Sequence, residues 1–162
     1  MATTVLYSQS SMVEANAHRM HLCPVRNELI QTSPEESVRQ SLLALMLEDL
    51  GYPASLMVVE RKISQLPHLA HVKVPIPNRR IDILCYSRNC LRPLILIECK
   101  ARFFSFKEQR QLFGYNYHIG ASFLALVAHK KIHFFNMKNA EEVSDVKELP
   151  DFATLTEWQN LY

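Results

Sequence analysis

The spacing of apolar and polar residues follows a helical period in some segments of the chain and the pattern of strands in others. From Pro34 onward, apolar residues recur every three or four positions, which predicts an amphipathic helix. Ser33 is suited to cap this helix, and Glu36, three residues later, completes the pattern of a capping box. Gly51 ends the helix. The stripe on one face consists of Val38, Leu42, Leu45, Met46 and Asp49, of which Asp49 alone is polar.

Later segments carry the pattern of strands, with a second helix between them. The predicted elements are strands at 56–60, 80–86 and 94–100, a helix at 106–118, and strands at 122–128 and 132–136. The order helix, three strands, helix, strand, strand predicts an α/β fold with a mixed central sheet flanked by helices.

The two ends of the chain differ from this central part. Residues 1–31 show no clear period, and we interpret them as an N-terminal arm. Residues 32–140 form the expected domain. Residues 141–162 are acidic and then amphipathic, so we expect a tail that packs on the domain, with a short helix at 154–160.

Composition narrows the class of protein. The chain has 162 residues, 48% of them hydrophobic, which suits one soluble domain. We find no apolar run of the roughly 18 residues that a membrane span needs and no secretory signal in residues 1–11, so we expect a cytoplasmic protein. The four cysteines include no Cys-x-x-Cys pair, which argues against a zinc site. Three glycines exclude the phosphate-binding and dinucleotide-binding glycine motifs.

Charge by itself does not indicate a nucleic-acid binder, because the net charge is only +2. Any such surface must come from local basic clusters, although each cluster taken alone is more typical of a solvated surface than of a phosphate contact. The candidates are Arg79 with Arg80, Arg102 with Lys107 and Arg110, and Lys130 with Lys131.

The two most apolar strands bring charged residues together. Asp82 and Glu98 are equidistant from Cys90, so a symmetric antiparallel hairpin places them directly opposite each other. Side chains alternate along a strand, so Lys100 lies on the same face as Glu98. Opposed carboxylates repel, and Mg²⁺ prefers oxygen ligands of this kind together with waters and a phosphate. Lys100 would then orient or deprotonate water or stabilise the transition state; alternatively, it simply neutralises an acid pair at a sheet edge.

Four segments in the same order resemble the N-terminal nuclease domain of type I restriction enzyme R subunits, and more closely the small stand-alone relatives of that domain. The segments are Thr32–Gln40, Arg80–Leu84, Leu96–Ala101 and Gln111–Asn116, within a similarity that spans about residues 23–136. The resemblance implies the PD-(D/E)XK restriction-endonuclease-like fold with an αβββαβ core. One departure is Ile81, which stands where the family's nominal proline precedes the aspartate.

The resemblance also implies residue roles. Asp82 and Glu98 match the metal ligands and Lys100 the catalytic lysine, with Mg²⁺ or Mn²⁺ as cofactor. Glu36 matches an acidic position that assists metal binding, although it is equally well explained as a helix cap.

A second group of residues would bind DNA or support the site. Gln111 and Tyr115 match the Gln-x-x-x-Tyr motif on the second helix, and residues four apart share one helix face. A tyrosine at such a position is also typical of packing. Arg80 and Arg102 are the basic candidates beside the predicted strands.

Three functions are compatible with this pattern. The first is a Mg²⁺-dependent endodeoxyribonuclease that acts on DNA. The second is a catalytically silent nucleic-acid-binding or structural module. The third is a nuclease subunit active only in a larger restriction or repair complex. A homodimer would suit double-strand cleavage, since each site cuts one strand.

Overall fold

The N-terminal region forms a small sheet that the sequence pattern did not predict. The computed structural model describes residues 13–15, 18–88, 92–129, 131–138 and 141–161, so Cys90 and Lys130 lie outside the described residues. Strands β1 (Val13–Ala15), β2 (His18–Cys23) and β3 (Glu28–Gln31) pair antiparallel. The turn between β2 and β3 uses Asn27 at a positive φ of 54°, a conformation that asparagine tolerates. The strands are short, which explains why no period was visible.

Helix α1 (Pro34–Glu48) begins as the sequence predicts. The Ser33 side-chain oxygen accepts a hydrogen bond from the Glu36 backbone amide at 3.0 Å. The second half of the predicted capping box is wrong, because the Glu36 carboxylate binds Arg39 and Gln40 instead. Glu36 is therefore both a cap position and a member of a buried polar cluster.

The buried face of α1 also differs from the predicted stripe. Val38 and Leu45 are only partly buried, and Asp49 is exposed. The side chains that the fold buries are Glu36, Arg39, Gln40, Leu42, Leu43 and Met46. The face is rotated because three polar residues of the first two turns point inward, where the strands supply charged partners.

The central sheet confirms the predicted mixed α/β architecture. After α1, the strands of this sheet and the helices that accompany them are, in chain order, β4 (Met57–Lys62), β5 (Arg80–Tyr86), β6 (Pro93–Cys99), α2 (Phe106–Ile119), β7 (Phe123–Ala128), β8 (Lys131–Asn136), β9 (Glu141–Val146) and α3 (Phe152–Asn160). The strands lie in the order β4-β5-β6-β7-β8-β9. Only the β6–β7 pair is parallel, and α2 makes the crossover that a parallel pair requires.

Two apolar layers cover the two faces of this sheet. On one face, Ile83 and Ile97 pack with Leu43 of α1 and Leu155 of α3. On the other face, Leu84 and Leu96 pack with Leu112 of α2. Glu98 is two positions from Leu96, so alternation directs it to the α2 side. Ile81 also belongs to the α2-side layer, so the alternation of β5 breaks at Asp82, whose carboxylate contacts Arg39 of α1.

The C-terminal segment completes the sheet and one layer of the core. The predicted helix at 154–160 is confirmed as α3, whereas strand β9 was not predicted. Trp158 lies 6.2 Å from Phe123 and 6.5 Å from Phe134, measured between ring centroids. In the described part of the chain, every helix is too short or too polar to span a bilayer.

Candidate active site

The register of three strands sets the positions of three carboxylates. In the β5–β6 pair, Ile83 faces Ile97, and Asp82 and Glu98 are the next residues of the two strands toward the open end of the hairpin. On the other side of β5, Val59 faces Ile83 and Arg61 faces Ile81, which leaves Glu60 beside Asp82. Glu60, Asp82 and Glu98 therefore lie in one row across β4, β5 and β6.

Both oxygens of the buried Asp82 carboxylate accept hydrogen bonds. Oδ2 accepts from the backbone amide of Cys99 at 2.6 Å, and Oδ1 accepts from Nη2 of Arg39 at 2.9 Å. Burial raises the pKa of Asp82, while the charge of Arg39 and the Cys99 amide oppose the rise. Two donors from different elements fix the plane of the carboxylate.

Arg39 connects α1 to this row of carboxylates. Its Nη2 atom is 2.9 Å from Glu60 Oε1 as well as from Asp82, and its Nη1 atom binds Glu36. Burial by itself would lower the pKa of Arg39, but the charges of Asp82, Glu60 and Glu36 outweigh it and raise the pKa. The guanidinium is thus a permanent cation among three acids.

Glu60 takes an unusual backbone conformation to reach Arg39. Its φ is 52°, in the left-handed region that non-glycine residues rarely adopt, although it lies within β4. Its second oxygen is 3.4 Å from Nη1 of Arg80, whose side chain is 60% exposed. Backbone conformations of this kind persist where the surrounding contacts hold them. Here the buried Arg39 supplies such a contact.

Lys100 lies between two further carboxylates. Its Nζ atom is 2.9 Å from Glu98 Oε1 and 3.1 Å from Glu35 Oε1. Burial by itself would lower the pKa of Lys100, but the hydrogen bonds and charges of Glu98 and Glu35 outweigh it and raise the pKa. Lys100 is therefore protonated at neutral pH.

Glu98 is the carboxylate whose ionisation is most disfavoured. It is 7% exposed, and burial raises its pKa to about 7, with the negative charge of Asp82 adding to the rise and Lys100 opposing it. Near neutral pH the side chain is close to half ionised. A further cation beside Glu98 would favour the ionised form.

Gln111 and Tyr115 contact each other on one face of α2. Nε2 of Gln111 donates a hydrogen bond to the Tyr115 hydroxyl at 2.6 Å. Tyr115 is partly buried; burial raises its pKa, and the charge of Glu98 raises it further. The electrostatic influence of Glu98 places this hydroxyl near the acid pair. Arg102 lies three residues after the end of β6 and is exposed.

The residues predicted as metal ligands are not all gathered at one point. Glu36 is engaged by Arg39 and Gln40, and it is Glu35 that contacts Lys100. Among the described residues, no three His, Cys, Asp or Glu side chains are arranged as a metal-binding group. Asp82 and Glu98 remain as the two acids of the hairpin that could hold a metal ion together with waters and a substrate phosphate.

The charges of the cluster fit a divalent cation. When all groups are ionised, five carboxylates face three cations, so two negative charges remain unbalanced. The acids are Glu35, Glu36, Glu60, Asp82 and Glu98, and the bases are Arg39, Arg80 and Lys100. An oxygen-rich site with this surplus suits a hard ion such as Mg²⁺.

Arg39, Glu60 and Glu35 were missed by the sequence interpretation. One signal was available: Arg39 stands at the helical spacing that joins it to Leu42, Leu43 and Met46, so a cation lies on the apolar face of α1. Such a placement indicates a buried ion pair, because an unpaired charge is costly inside a core. No comparable local signal marks Glu60.

Arg39→Ala should lower the free energy of unfolding by about 3–5 kcal/mol, because it leaves Asp82, Glu60 and Glu36 without their buried cation. Urea unfolding followed by circular dichroism measures the loss. Arg80→Ala is the matched control and should cost no more than about 1 kcal/mol, since its ion pair with Glu60 is exposed. Equal losses in the two variants would contradict the role given to Arg39.

Glu98→Gln should raise the melting temperature most above pH 7, and this gain should shrink as the pH falls toward 4.5. The folded protein holds the Glu98 proton up to about pH 7, whereas the unfolded chain releases it near its usual pKa of 4.5. Ionisation therefore destabilises the folded wild type over this window, and glutamine removes that cost. Thermal unfolding across pH without metal tests this, with the exposed Glu48→Gln as control. A gain that does not depend on pH would refute the shift.

Comparison with known proteins identifies a family and a similar fold. The family described as the N terminus of the type I restriction enzyme R protein matches residues 34–150, which contain every site residue named above from Glu35 to Tyr115. No curated protein matches the chain.

A solved structure shares the fold. It is a fragment of a protein described as an HsdR subunit of a type I restriction enzyme from Vibrio vulnificus YJ016, with a TM-score of 0.53 and 15% identity. The similarity covers 71% of this chain and 23% of that one, so the present chain corresponds to a small part of the solved protein. Since the family pattern covers well over half of the sequence, the protein belongs to the family of type I restriction enzyme R protein N termini.

Proposed function

We propose that the protein is a Mg²⁺-dependent phosphodiesterase of the PD-(D/E)XK type that cleaves DNA. The observation that supports it is the placement of two buried carboxylates, Asp82 and Glu98, on the paired strands of one hairpin, with Lys100 bound to Glu98. Residues of the same types in the same order carry phosphodiester hydrolysis in that superfamily.

Asp82 and Glu98 would hold the metal ion. Oδ1 and Oδ2 of Asp82 each accept one hydrogen bond and retain a lone pair for a ligand, and Oε1 of Glu98 is held by Lys100. When bound, Mg²⁺ or Mn²⁺ polarises the phosphate and lowers the pKa of a bound water. The protein supplies two fixed oxygen donors and a negative charge that no internal cation balances.

Lys100 stabilises negative charge in this mechanism, and it does not act as the base. Its raised pKa keeps the ammonium protonated, as the contacts with Glu98 and Glu35 require. A protonated amine can donate hydrogen bonds to a phosphate oxygen on which charge accumulates in the transition state. Removing it should reduce the rate of cleavage more than the affinity for metal.

Arg39 and the pair of Gln111 and Tyr115 support the same centre from two sides. Arg39 holds the Asp82 carboxylate in one orientation from α1. On α2, Gln111 fixes the Tyr115 hydroxyl near Glu98. We propose that these residues position the acids and the phosphate and undergo no chemical change.

DNA is the proposed substrate because the matched family is part of a type I restriction enzyme. The same fact supports a second candidate, a domain active only within a larger restriction complex. The family is described as the N terminus of the R protein, and the Vibrio protein extends far beyond the shared region. We retain residues 32–140 as the proposed nuclease-like domain, with residues 141–162 packed against it.

Wild-type protein should nick supercoiled plasmid in Mg²⁺ or Mn²⁺, and Asp82→Ala and Lys100→Ala should each lose about 100-fold or more of that rate. Isothermal titration with Mn²⁺ separates the two roles, since the Asp82 variant should lose metal affinity and the Lys100 variant should keep it. Asp49→Ala and Lys73→Ala, at exposed positions away from the row of carboxylates, are the controls.

Nicking by both site variants at the wild-type rate would overturn the nuclease assignment. A wild-type protein that binds Mn²⁺ and leaves plasmid intact would favour the second candidate. In that case the assay is repeated with the protein bound to whatever larger restriction subunit co-purifies with it.

A further inference from the structure

Two exposed aromatic rings follow the lysine of the site within six residues. Phe103 is 87% exposed and Phe106 is 70% exposed, and both lie in the connection from β6 to α2 or at its end. Single exposed apolar residues are common on protein surfaces. The aromatic residue between them is packed against the protein, whereas these two large rings remain in solvent near Lys100. They therefore differ from single exposed apolar residues.

The backbone that carries these rings is anchored on both sides. The Phe104 ring packs edge-on against His133 at 4.7 Å between centroids, and the Lys131 ammonium is 5.9 Å from its centre. A capping box then begins α2: the Ser105 amide donates to Glu108 Oε2 at 2.7 Å, and the Lys107 amide donates to Ser105 Oγ at 3.2 Å. Phe103 and Phe106 are therefore presented by an ordered backbone.

Exposed cations surround the two rings. Arg102, Lys107 and Arg110 are all exposed. Between residues 101 and 110 the only acid is Glu108, whose carboxylate is engaged by Ser105. We name this set the 102–110 surface; it consists of the exposed side chains of Arg102, Phe103, Phe106, Lys107 and Arg110. Aromatic faces interleaved with cations suit a chain of bases and phosphates.

The 102–110 surface begins close to Lys100 in the sequence. Phe103 is three residues beyond Lys100, so their Cα atoms are at most about 10 Å apart. Successive bases of one strand are about 3.4 Å apart along the axis when stacked. A base on Phe103 would thus lie within about three nucleotides of a phosphate at Lys100.

We propose that the 102–110 surface binds an unpaired segment of DNA next to the phosphate that is cleaved, with bases stacked on Phe103 and Phe106. This inference rests on the proposed nuclease function and names its substrate class. Bases in an intact duplex are already stacked on each other, so rings of this kind gain little from it. Unpaired bases expose their faces, and each base–aromatic stack adds affinity without regard to sequence. The cations favour a polyanion over an apolar protein surface.

The test measures binding separately from cleavage. Full-length protein is titrated into a fluorescein-labelled single-stranded oligonucleotide in EDTA, and anisotropy is recorded; the same sequence as a duplex is measured in parallel. Phe103→Ala and Phe106→Ala should each weaken single-strand binding by roughly five-fold to a hundred-fold. Duplex binding should change by less than about two-fold.

Tyr117→Ala is the matched control. Tyr117 is 87% exposed, as Phe103 is, and lies on α2 about 16 Å along the helix axis from Phe106. It should leave single-strand binding unchanged. Phe103→Trp should retain binding, and Phe103→Leu should not, because stacking needs an aromatic face and not only an apolar one.

Three results would overturn the inference: no binding of the single strand by the wild type, equal losses for duplex and single strand, or the same loss in the Tyr117 variant. The first would assign the 102–110 surface to a protein partner. Because binding is measured in EDTA, it does not depend on the nuclease. If the protein binds single strands through Phe103 but cuts no DNA, the proposed function is wrong and this inference stands. If the protein nicks plasmid but Phe103→Ala binds single strands as the wild type does, this inference is wrong and the proposed function stands.

Discussion

The buried guanidinium of Arg39 ties the first helix to two strands of the central sheet. Its contacts with Glu36, Glu60 and Asp82 bring together groups from α1, β4 and β5 that would otherwise repel or lack a counterion. A buried cation of this kind is a weak source of net stability, because desolvation opposes the attraction. Its effect is to fix the position of α1 on the sheet, since any displacement of α1 would leave an unpaired charge inside the protein. The position of Glu35 over Lys100 follows from that constraint.

Arg39 and Lys100 neutralise different acids of the cluster. Arg39 has a high pKa and three acidic neighbours, so it belongs to the permanent structure of the site. Lys100 is only partly buried and contacts the buried Glu98 and the more exposed Glu35, so a substrate can reach it. Neither cation removes the surplus of negative charge. Burial is the main cause of the raised pKa of Glu98, and the charge of Asp82 adds to it. A metal ion would balance the negative charge that these two cations leave.

Local patterns predicted most of the elements and the central pair of the site. The facing of Asp82 and Glu98 was inferred from loop symmetry, and the pairs from Ile83 to Cys85 obey it. The symmetry breaks at Tyr86, which faces Pro93 across a register shift, but that irregularity lies at the far end of the hairpin from the acids. The shift affects the turn, and the register agrees with the symmetry as far as Ile83 and Ile97, the pair next to the acids.

What could not be predicted depends on contacts between distant parts of the chain. Glu60 faces the site only because β4 pairs with β5 in one register and because its backbone turns to a positive φ. Strand β9 has no apolar alternation of its own and becomes a strand by adding to β8. Which face of α1 is buried depends on Glu60 and Asp82, which lie 24 and 46 positions after Glu36 in the sequence. Local periodicity carries no information on such partners, so a charged residue on an apolar helix face is the most useful warning that they exist.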